Sequence, residues 1–283
     1  MSGIVINAKE IAANIREDLK ARVKEHINIK GRAPGIAAIL VGSDPSSISY
    51  VKGQQKVSHE VGVDYTMFEL PEESTEEEVI SLIDNLNERE DINGIIVQVP
   101  LPKHISPDNV ARAIAPGKDI DCFNLDNTGK LFRGEKCLKP CTPKGIVRLI
   151  KECGIDLVGT RVCVVGRSNV VGKPVALLLL NEGATVNICH SKTKDLKSET
   201  LDCDIIVSAA GKANLITADM VKEGTVVIDA GVNMVDGKLK GDVDFEGVLE
   251  KASHITPVPG GVGAMTTTML VENVLEASLE YEQ

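Results

Sequence analysis

The sequence predicts an α/β protein: two α/β domains flanking a cleft, the second a Rossmann-like dinucleotide-binding domain. Three observations predict it. Short apolar runs alternate with helical patterns along most of the 283 residues, as in parallel sheets covered on both faces. The stretch 116–145, rich in Gly, Pro, Asp and Asn, breaks that alternation. A structureless stretch of this length marks a functional loop or a domain junction. Beyond it a fresh α/β series opens with a strand running straight into a glycine turn, "RVCVVGRSNVVGKP".

Taken in order, a helix is expected near Ala8 to Ile27 and a buried strand over "GIAAILVG" (35–42). The next helix carries "SYVKGQQKVSHEVG" (49–62), which sets Tyr50 and Gln54 one turn apart on one face. A strand near Tyr65 to Leu70 follows, then a helix opened by a capping box, Thr75 with Glu78. The acidic run Glu72 to Glu78 reads as a solvated helix N-terminus that suits the macrodipole. "INGIIVQVP" (92–100) is the last strand of the first series. In the second series "RVCVVG" (161–166), "TVNICH" (185–190), "DIIVSAAG" (204–211), "TVVIDAG" (225–231) and "ITPVPGG" (255–261) read as strands, with a helix on "KPVALLLLNEG". The expected domains are 1–140 with 265–283, and 141–264.

Composition narrows the function classes. Hydrophobic content of 43% and charged content of 25% are those of a soluble globular protein. The first twenty residues lack the basic start and unbroken apolar run of a signal peptide. "PVALLLL" is too short to span a bilayer. A cytoplasmic protein without membrane association is expected. The net charge of -10 argues against nucleic acid as a partner, because that needs clustered Lys and Arg. Seven cysteines without a CxxC pair read as reduced thiols, and no metal site is expected.

The glycine turn points to a nucleotide. Gly166 lets the chain turn sharply and Gly172 lets backbone approach a phosphate or the strand, while the following helix N-terminus offers N–H donors. The motif is not G-x-G-x-x-G, since Ser168 stands at the middle position. NAD-specific folds usually end the second strand with a carboxylate for the ribose 2′-hydroxyl. Here that strand ends "CHSKTK", with Ser191, Lys192 and Lys194 and no acid before Asp195. With Arg167 in the turn, hydroxyl and cations favour a 2′-phosphate, hence NADP as cofactor. The bland alternative leaves both lysines merely solvating a loop.

In the first half, polar residues punctuate the ends of strands and helices: Tyr50 with Gln54, Gln98 in "VQVPLP" and Asp121 in "KDIDCFN". Strand C-termini of open α/β sheets face the ligand crevice. Together, "YVKGQQK", "GIIVQVPLP", "KDIDCFN", "KPCTPKGI", "GRSNVVGKP" and "ITPVPGGVG" closely resemble the bifunctional methylenetetrahydrofolate dehydrogenase/cyclohydrolase family, from about Ile4 to Tyr281. The resemblance implies a one-carbon folate enzyme, usually a homodimer, whose first domain is completed by a C-terminal helix, about Met265 to Tyr281. It implies that Asp121 holds the pterin ring, Tyr50 lies against the reduced folate and Gln98 hydrogen-bonds within the catalytic cluster. Gly166, Arg167, Ser168, Ser191 and Val232 fall where the family holds NADP, and Pro259, Gly260 and Gly261 where it builds the cleft wall.

Three positions depart from the family pattern. Cys122 and Ala264 stand where glycine and proline are common. More consequentially, Gln54 stands where the pattern Tyr-x-x-x-Lys has its lysine. Lys56 is rotated about 200° around a helix of roughly 3.6 residues per turn and does not replace it. Hydride loss from the methylene bridge needs positioning, whereas hydrolysis of the methenyl product needs a proton shuttle that an amide cannot provide. NADP-dependent oxidation of 5,10-methylenetetrahydrofolate is therefore expected, with weak or absent cyclohydrolase activity, and Tyr50 and Gln54 as a substrate-facing pair not needed for packing. The alternatives are a fully bifunctional enzyme, a non-folate NADP-dependent dehydrogenase, and a non-catalytic NADP-binding protein.

Overall fold

Two parallel sheets organise the chain. The computed structural model describes residues 3–280, apart from the side chain of Ser46. The chain forms two compact units: Asn14–Cys141 with the segment from Thr267 onward, and the segment up to Ala13 with Thr142–Thr266.

The first-half unit is built on β2 (Gly35–Val41), β3 (Asp64–Leu70) and β4 (Gly94–Val97), after β1 (Ile4–Val5) and α1 (Ala8–Lys30). Its strand order is β3-β2-β4, all parallel. Every residue of β2 is buried, as its unbroken apolar run requires. Helix α2 (Pro45–Val61) starts where the Asp44 side chain accepts from Ser47 N and ends at Gly62 in the left-handed conformation. The capping box of α3 (Glu76–Asn87) forms as the sequence predicts. One residue of the acidic run does more than face water. The Glu76 carboxylate accepts from Ser106 N and Asn109 Nδ2, tying α3 to the start of α4 (Pro107–Ala113).

The stretch 116–145 is not structureless. It holds a 3-10 turn (Pro116–Lys118), α5 (Leu125–Arg133) and the start of α6 (Cys141–Glu152). Helix α5 is capped by Asn124 and stopped by Gly134, and it buries only Asn127 and Leu131. With one apolar anchor it has no periodicity to read.

The second-half unit contains β5 (Arg161–Val165), α7 (Gly172–Asn181), β6 (Thr185–Cys189), α8 (Leu196–Leu201), β7 (Ile205–Ser208) and β8 (Val226–Asp229). A small antiparallel hairpin, β9 (Asn233–Val235) with β10 (Lys238–Lys240), precedes α9 (Phe245–Leu249) and β11 (His254–Ile255). Its six-stranded sheet runs β1-β11-β8-β7-β5-β6, entirely parallel. Residues 1–140 were expected in the first-half domain, yet the N-terminal segment sits here. Strand β1 pairs with β11, and Ile4 N and Ile6 N donate to Ser253 O and Ile255 O. A two-residue strand leaves no pattern of its own in the sequence. The expected strands at 92–100 and 255–261 are shortened to β4 and β11.

Helix α10 (Val262–Glu280) follows, and the expected end of this helix at Tyr281 lies outside the described residues. Within the first-half unit its Asn273 amide donates to Ile120 O (2.8 Å) and Lys139 O (2.7 Å). That helix therefore braces the loop on either side of Asp121. All seven cysteines are free thiols. No helix among the described residues is long and apolar enough to cross a membrane.

Candidate active site

In the first-half unit two of the polar residues singled out by the sequence, Gln54 and Gln98, meet at one buried carboxamide. Gln54, on the middle turn of α2, is 0% exposed. Its Oε1 accepts from the Tyr65 hydroxyl on β3 at 2.8 Å and from Gln98 Nε2 at 3.3 Å. Gln98 directly follows β4, and its backbone N–H donates to Ile39 O, extending the pairing with β2. The Ser47 hydroxyl donates to Val99 O at 3.4 Å, which ties the first turn of α2 to the same segment. Sheet register and helix docking together bring residues 54, 65 and 98 to one point.

This corrects the expectation for Gln54. Tyr50 is 40% exposed, but Gln54 one turn on is enclosed, so the two are not a shared outward-facing pair. Tyr65, itself buried, meets that carboxamide through its hydroxyl. Gln54 Nε2 has no hydrogen-bond partner among the described residues. Lys52 and Lys56 are both exposed, so neither joins the cluster. The sequence reading missed Tyr65; the available signal was a tyrosine on a strand in a chain with only three.

Asp121 is held at the mouth of α6, where its Oδ1 accepts from Cys141 N at 2.8 Å. Burial pushes its carboxyl up to about 6, the Cys141 N–H works against this, and neighbouring Asp119 adds to it. Asp119 is itself buried and organises the loop by accepting from Phe123 N, Asn124 N and Asn127 Nδ2. Burial raises its pKa, and these donors oppose the shift. Cys122, at the position where the family commonly has glycine, has φ +57 and is buried. A non-glycine residue in that region carries strain of about 1 kcal/mol.

In the second-half unit the glycine turn has the shape of a backbone cradle. Gly166 has φ +137, and a Cβ there would lie 2.2 Å from Ala209 O. A Cβ on Gly172 would lie 2.3 Å from Gly166 O, so both positions exclude any side chain. Residues 167–170 between them are exposed. The Ser168 hydroxyl accepts from Val171 N (3.1 Å) and Gly172 N (3.3 Å), fixing the turn into α7. The register of β5 and β6 pairs Val165 with Cys189, which puts Arg167 and Ser191 at equivalent places two residues beyond. Arg167, Ser191, Lys192 and Lys194 are all exposed there. Asp195, the nearest following acid, is used as the cap of α8, accepting from Ser198 N. The chemistry of this end is cationic and hydroxylic, and a dinucleotide carrying a 2′-phosphate fits it.

Val232 lies beyond β8 and is 69% exposed. Pro259 is exposed, Gly260 has φ +103, and Gly261 packs so tightly that a Cβ would lie 2.4 Å from Pro257 O. These three belong to the second-half unit. Ala264 sits in the first turn of α10 and donates to Gly261 O.

A second buried acid pair was not foreseen. Asp242, 0% exposed, accepts from Ser208 Oγ, Ala210 N and Gly211 N on one oxygen. Its other oxygen accepts from Lys212 N and Asn233 Nδ2. Asp229 accepts from Gly231 N, Asp242 N and Val243 N. Together they clamp the loop after β7, whose Ala209 carbonyl abuts Gly166. The readable signal was the pair Gly231 and Gly241, where a Cβ would strike the Asp242 and Asp229 carboxyls.

Comparison with known proteins decides the family. Residues 6–121 match the tetrahydrofolate dehydrogenase/cyclohydrolase catalytic domain, and residues 140–282 match the NAD(P)-binding domain of the same family. The chain belongs to the tetrahydrofolate dehydrogenase/cyclohydrolase family. The bifunctional protein FolD of Clostridium novyi is 53% identical over 274 residues, covering 97% of this chain and 99% of that one. FolD of Bacillus pumilus is 52% identical over 279 residues, 98% of each chain. Among solved structures, FolD methylenetetrahydrofolate dehydrogenase/cyclohydrolase from Campylobacter jejuni superposes with a TM-score of 0.96 at 44% identity, covering 99% of this chain and 100% of that one. The Trypanosoma brucei FolD, solved with NADP cofactor and inhibitor, gives 0.95 at 36% identity over 99% of each chain. The chain is thus an enzyme with the two-unit, Rossmann-like architecture of this family.

Proposed function

We propose that this chain oxidises 5,10-methylenetetrahydrofolate to 5,10-methenyltetrahydrofolate with NADP. Its hydrolysis of the methenyl product to 10-formyltetrahydrofolate is weak or absent. The folate is assigned to the unit of Asn14–Cys141 with the segment from Thr267 onward, and the dinucleotide to the other. The homodimer implied by the resemblance and the cytoplasmic setting expected from the composition belong to the same reading.

The roles follow from the chemistry of each side chain. The Asp121 carboxylate suits the paired N–H donors of an aminopyrimidinone edge, as it would suit an arginine fork. Tyr50, partly exposed, offers a ring face for the folate. Gln98 orients groups at the end of β4, and Pro259, Gly260 and Gly261 are assigned to the substrate by the resemblance. Gly166, Arg167, Ser168, Ser191 and Val232 receive the dinucleotide, with Arg167 and Ser191 on the 2′-phosphate. Bound NADP supplies the hydride acceptor. Hydride loss from the methylene bridge is driven by lone-pair donation from the folate nitrogen, and no protein group need move a proton, so neutral positioning residues suffice.

The second reaction is different. Water attacks the methenyl carbon and protons must be moved before the ring opens, which general acid–base groups accelerate by roughly 10² to 10⁴-fold. The single observation that carries the weak-hydrolase reading is the enclosed carboxamide of Gln54, with a phenol and a second amide as its partners. The bifunctional reading has its own support: relatives at about half identity over nearly the whole chain are named bifunctional. On that reading Gln54 positions a water whose proton passes to Asp121 or another group.

A paired assay separates the two. Methylenetetrahydrofolate oxidation is followed with NADP, and methenyltetrahydrofolate hydrolysis separately, after subtracting the uncatalysed rate. Fast oxidation with background hydrolysis is expected. Fast hydrolysis would establish the bifunctional reading, and absence of oxidation would reject both.

A further inference from the structure

We propose that Tyr65 is a positioning residue of this active site: its hydroxyl locks the Gln54 carboxamide in one orientation and, through it, the amide of Gln98. The inference rests on the folate reading of the site and deepens it.

Three observations carry it. Tyr65 is buried on β3, and the acceptor its hydroxyl proton finds is Gln54 Oε1 at 2.8 Å. Gln54 is enclosed, so no solvent competes for that oxygen. The same oxygen accepts from Gln98 Nε2 at 3.3 Å. A carboxamide is nearly symmetric in shape, and only its partners decide which end is oxygen. If Gln54 turned over, its NH₂ would face the Gln98 NH₂, and the buried phenol proton would lose its acceptor. Both are penalties for unsatisfied buried polar groups. Burial also drives the phenol pKa well above its ordinary value, so Tyr65 keeps its proton and remains a donor. The orientation runs in sequence: phenol proton, Gln54 oxygen, Gln98 amide. Gln98 thus turns its NH₂ toward Gln54 and keeps its carbonyl oxygen as the acceptor left for substrate.

The arrangement also defines what position 54 tolerates. Tyr65 and Gln98 both point donors at it, so the site as built asks for an acceptor. A lysine there would bring three more donors and strand the phenol proton. A lysine becomes compatible once the phenol is gone and Gln98 has turned over to present its oxygen.

The experiment compares wild type, Tyr65→Phe, Gln54→Met and the double variant, with melting curves to establish that each is folded. For methylenetetrahydrofolate oxidation, Tyr65→Phe is expected to lower kcat by about five- to thirtyfold with the folate KM within twofold. That is the loss of about 1–2 kcal/mol at one tenfold per 1.36 kcal/mol. In the Gln54→Met background Tyr65→Phe should change kcat no further, because the phenol acts through Gln54. Unchanged kcat, or full additivity of the two substitutions, overturns the proposal. Side-chain amide NMR gives a readout independent of turnover. Resonances of both Gln54 and Gln98 should move in Tyr65→Phe, and an unmoved Gln98 overturns the relay. Absence of oxidation in the wild-type protein would sink the proposed function, while normal oxidation with an indifferent Tyr65→Phe would sink this inference alone.

Discussion

Replacing Asp242 by Asn removes one charge and one acceptor from a carboxylate that has no contact with water. Five donors converge on it, at 2.7 to 3.1 Å from Ser208, Ala210, Gly211, Lys212 and Asn233. The best an asparagine can do is put its oxygen where three of them meet. Its NH₂ then faces Lys212 N and Asn233 Nδ2. Asn233 can turn its own amide over and become an acceptor only by giving up its bond to Lys240 O, and a backbone N–H cannot turn at all. One unsatisfied donor costs about 1–3 kcal/mol, and three bonds that lose their charge weaken by a few tenths to about 1 kcal/mol each. Relief of repulsion with Asp229 returns about 1 kcal/mol. The expected net loss is about 2–4 kcal/mol, which for a chain of this size lowers Tm by roughly 5–15 °C. Because the clamped loop carries the carbonyl that abuts Gly166, NADP affinity should fall several-fold while the folate KM stays near wild type. Differential scanning calorimetry and a fluorescence titration with NADPH measure both. A shift in Tm below about 2 °C together with unchanged NADPH affinity would refute the clamp.

Two further outcomes follow from the same geometry. Arg167→Ala should weaken NADP much more than NAD, by about tenfold or more for loss of a charge-assisted contact, and equal losses in parallel titrations would contradict a 2′-phosphate at this end. Asp121 has a carboxyl raised to about 6 by burial, so its ionised, accepting form prevails above that pH. The folate KM should therefore rise as pH falls from about 7 to 5, by up to about tenfold, and Asp121→Asn should flatten that profile. The stability sign is opposite. A raised carboxyl contributes stability that is fully present below about pH 4 and lost as pH rises through 6, so Asp121→Asn should be relatively stabilising above it.

The legible parts of the molecule are those where one residue type has one physical use. Gly166 and Gly172 could be read as a backbone turn because no side chain fits, and Thr75 with Glu78 because their hydrogen bonds are local. The buried run of β2 could be read because nothing but a covered strand suits it. The illegible parts are those where meaning arises across the fold. Tyr65 and Gln54 lie eleven residues apart on different elements, and only the docking of α2 on β3 makes one the partner of the other. Asp229 and Asp242 look like surface acids in a Gly- and Asp-rich stretch until eight backbone and side-chain donors are seen to converge on the two carboxylates. Helix α5 owes its existence to an Asn cap, a Gly stop and the Asp119 loop, none of which has a period.

Strand β1 also sets an order of events for a chain leaving the ribosome. Its partner β11 is encoded near the other end, so Ile4 and Val5 must wait, exposed, until the segment around His254 has been made. The residues of β2, β3 and β4 have all been made long before that. A nascent chain therefore passes through a stage in which every strand of one sheet has been made and the other still lacks its edge. A binding partner or fusion that sequesters Ile4 and Val5 would keep β1 from pairing with β11.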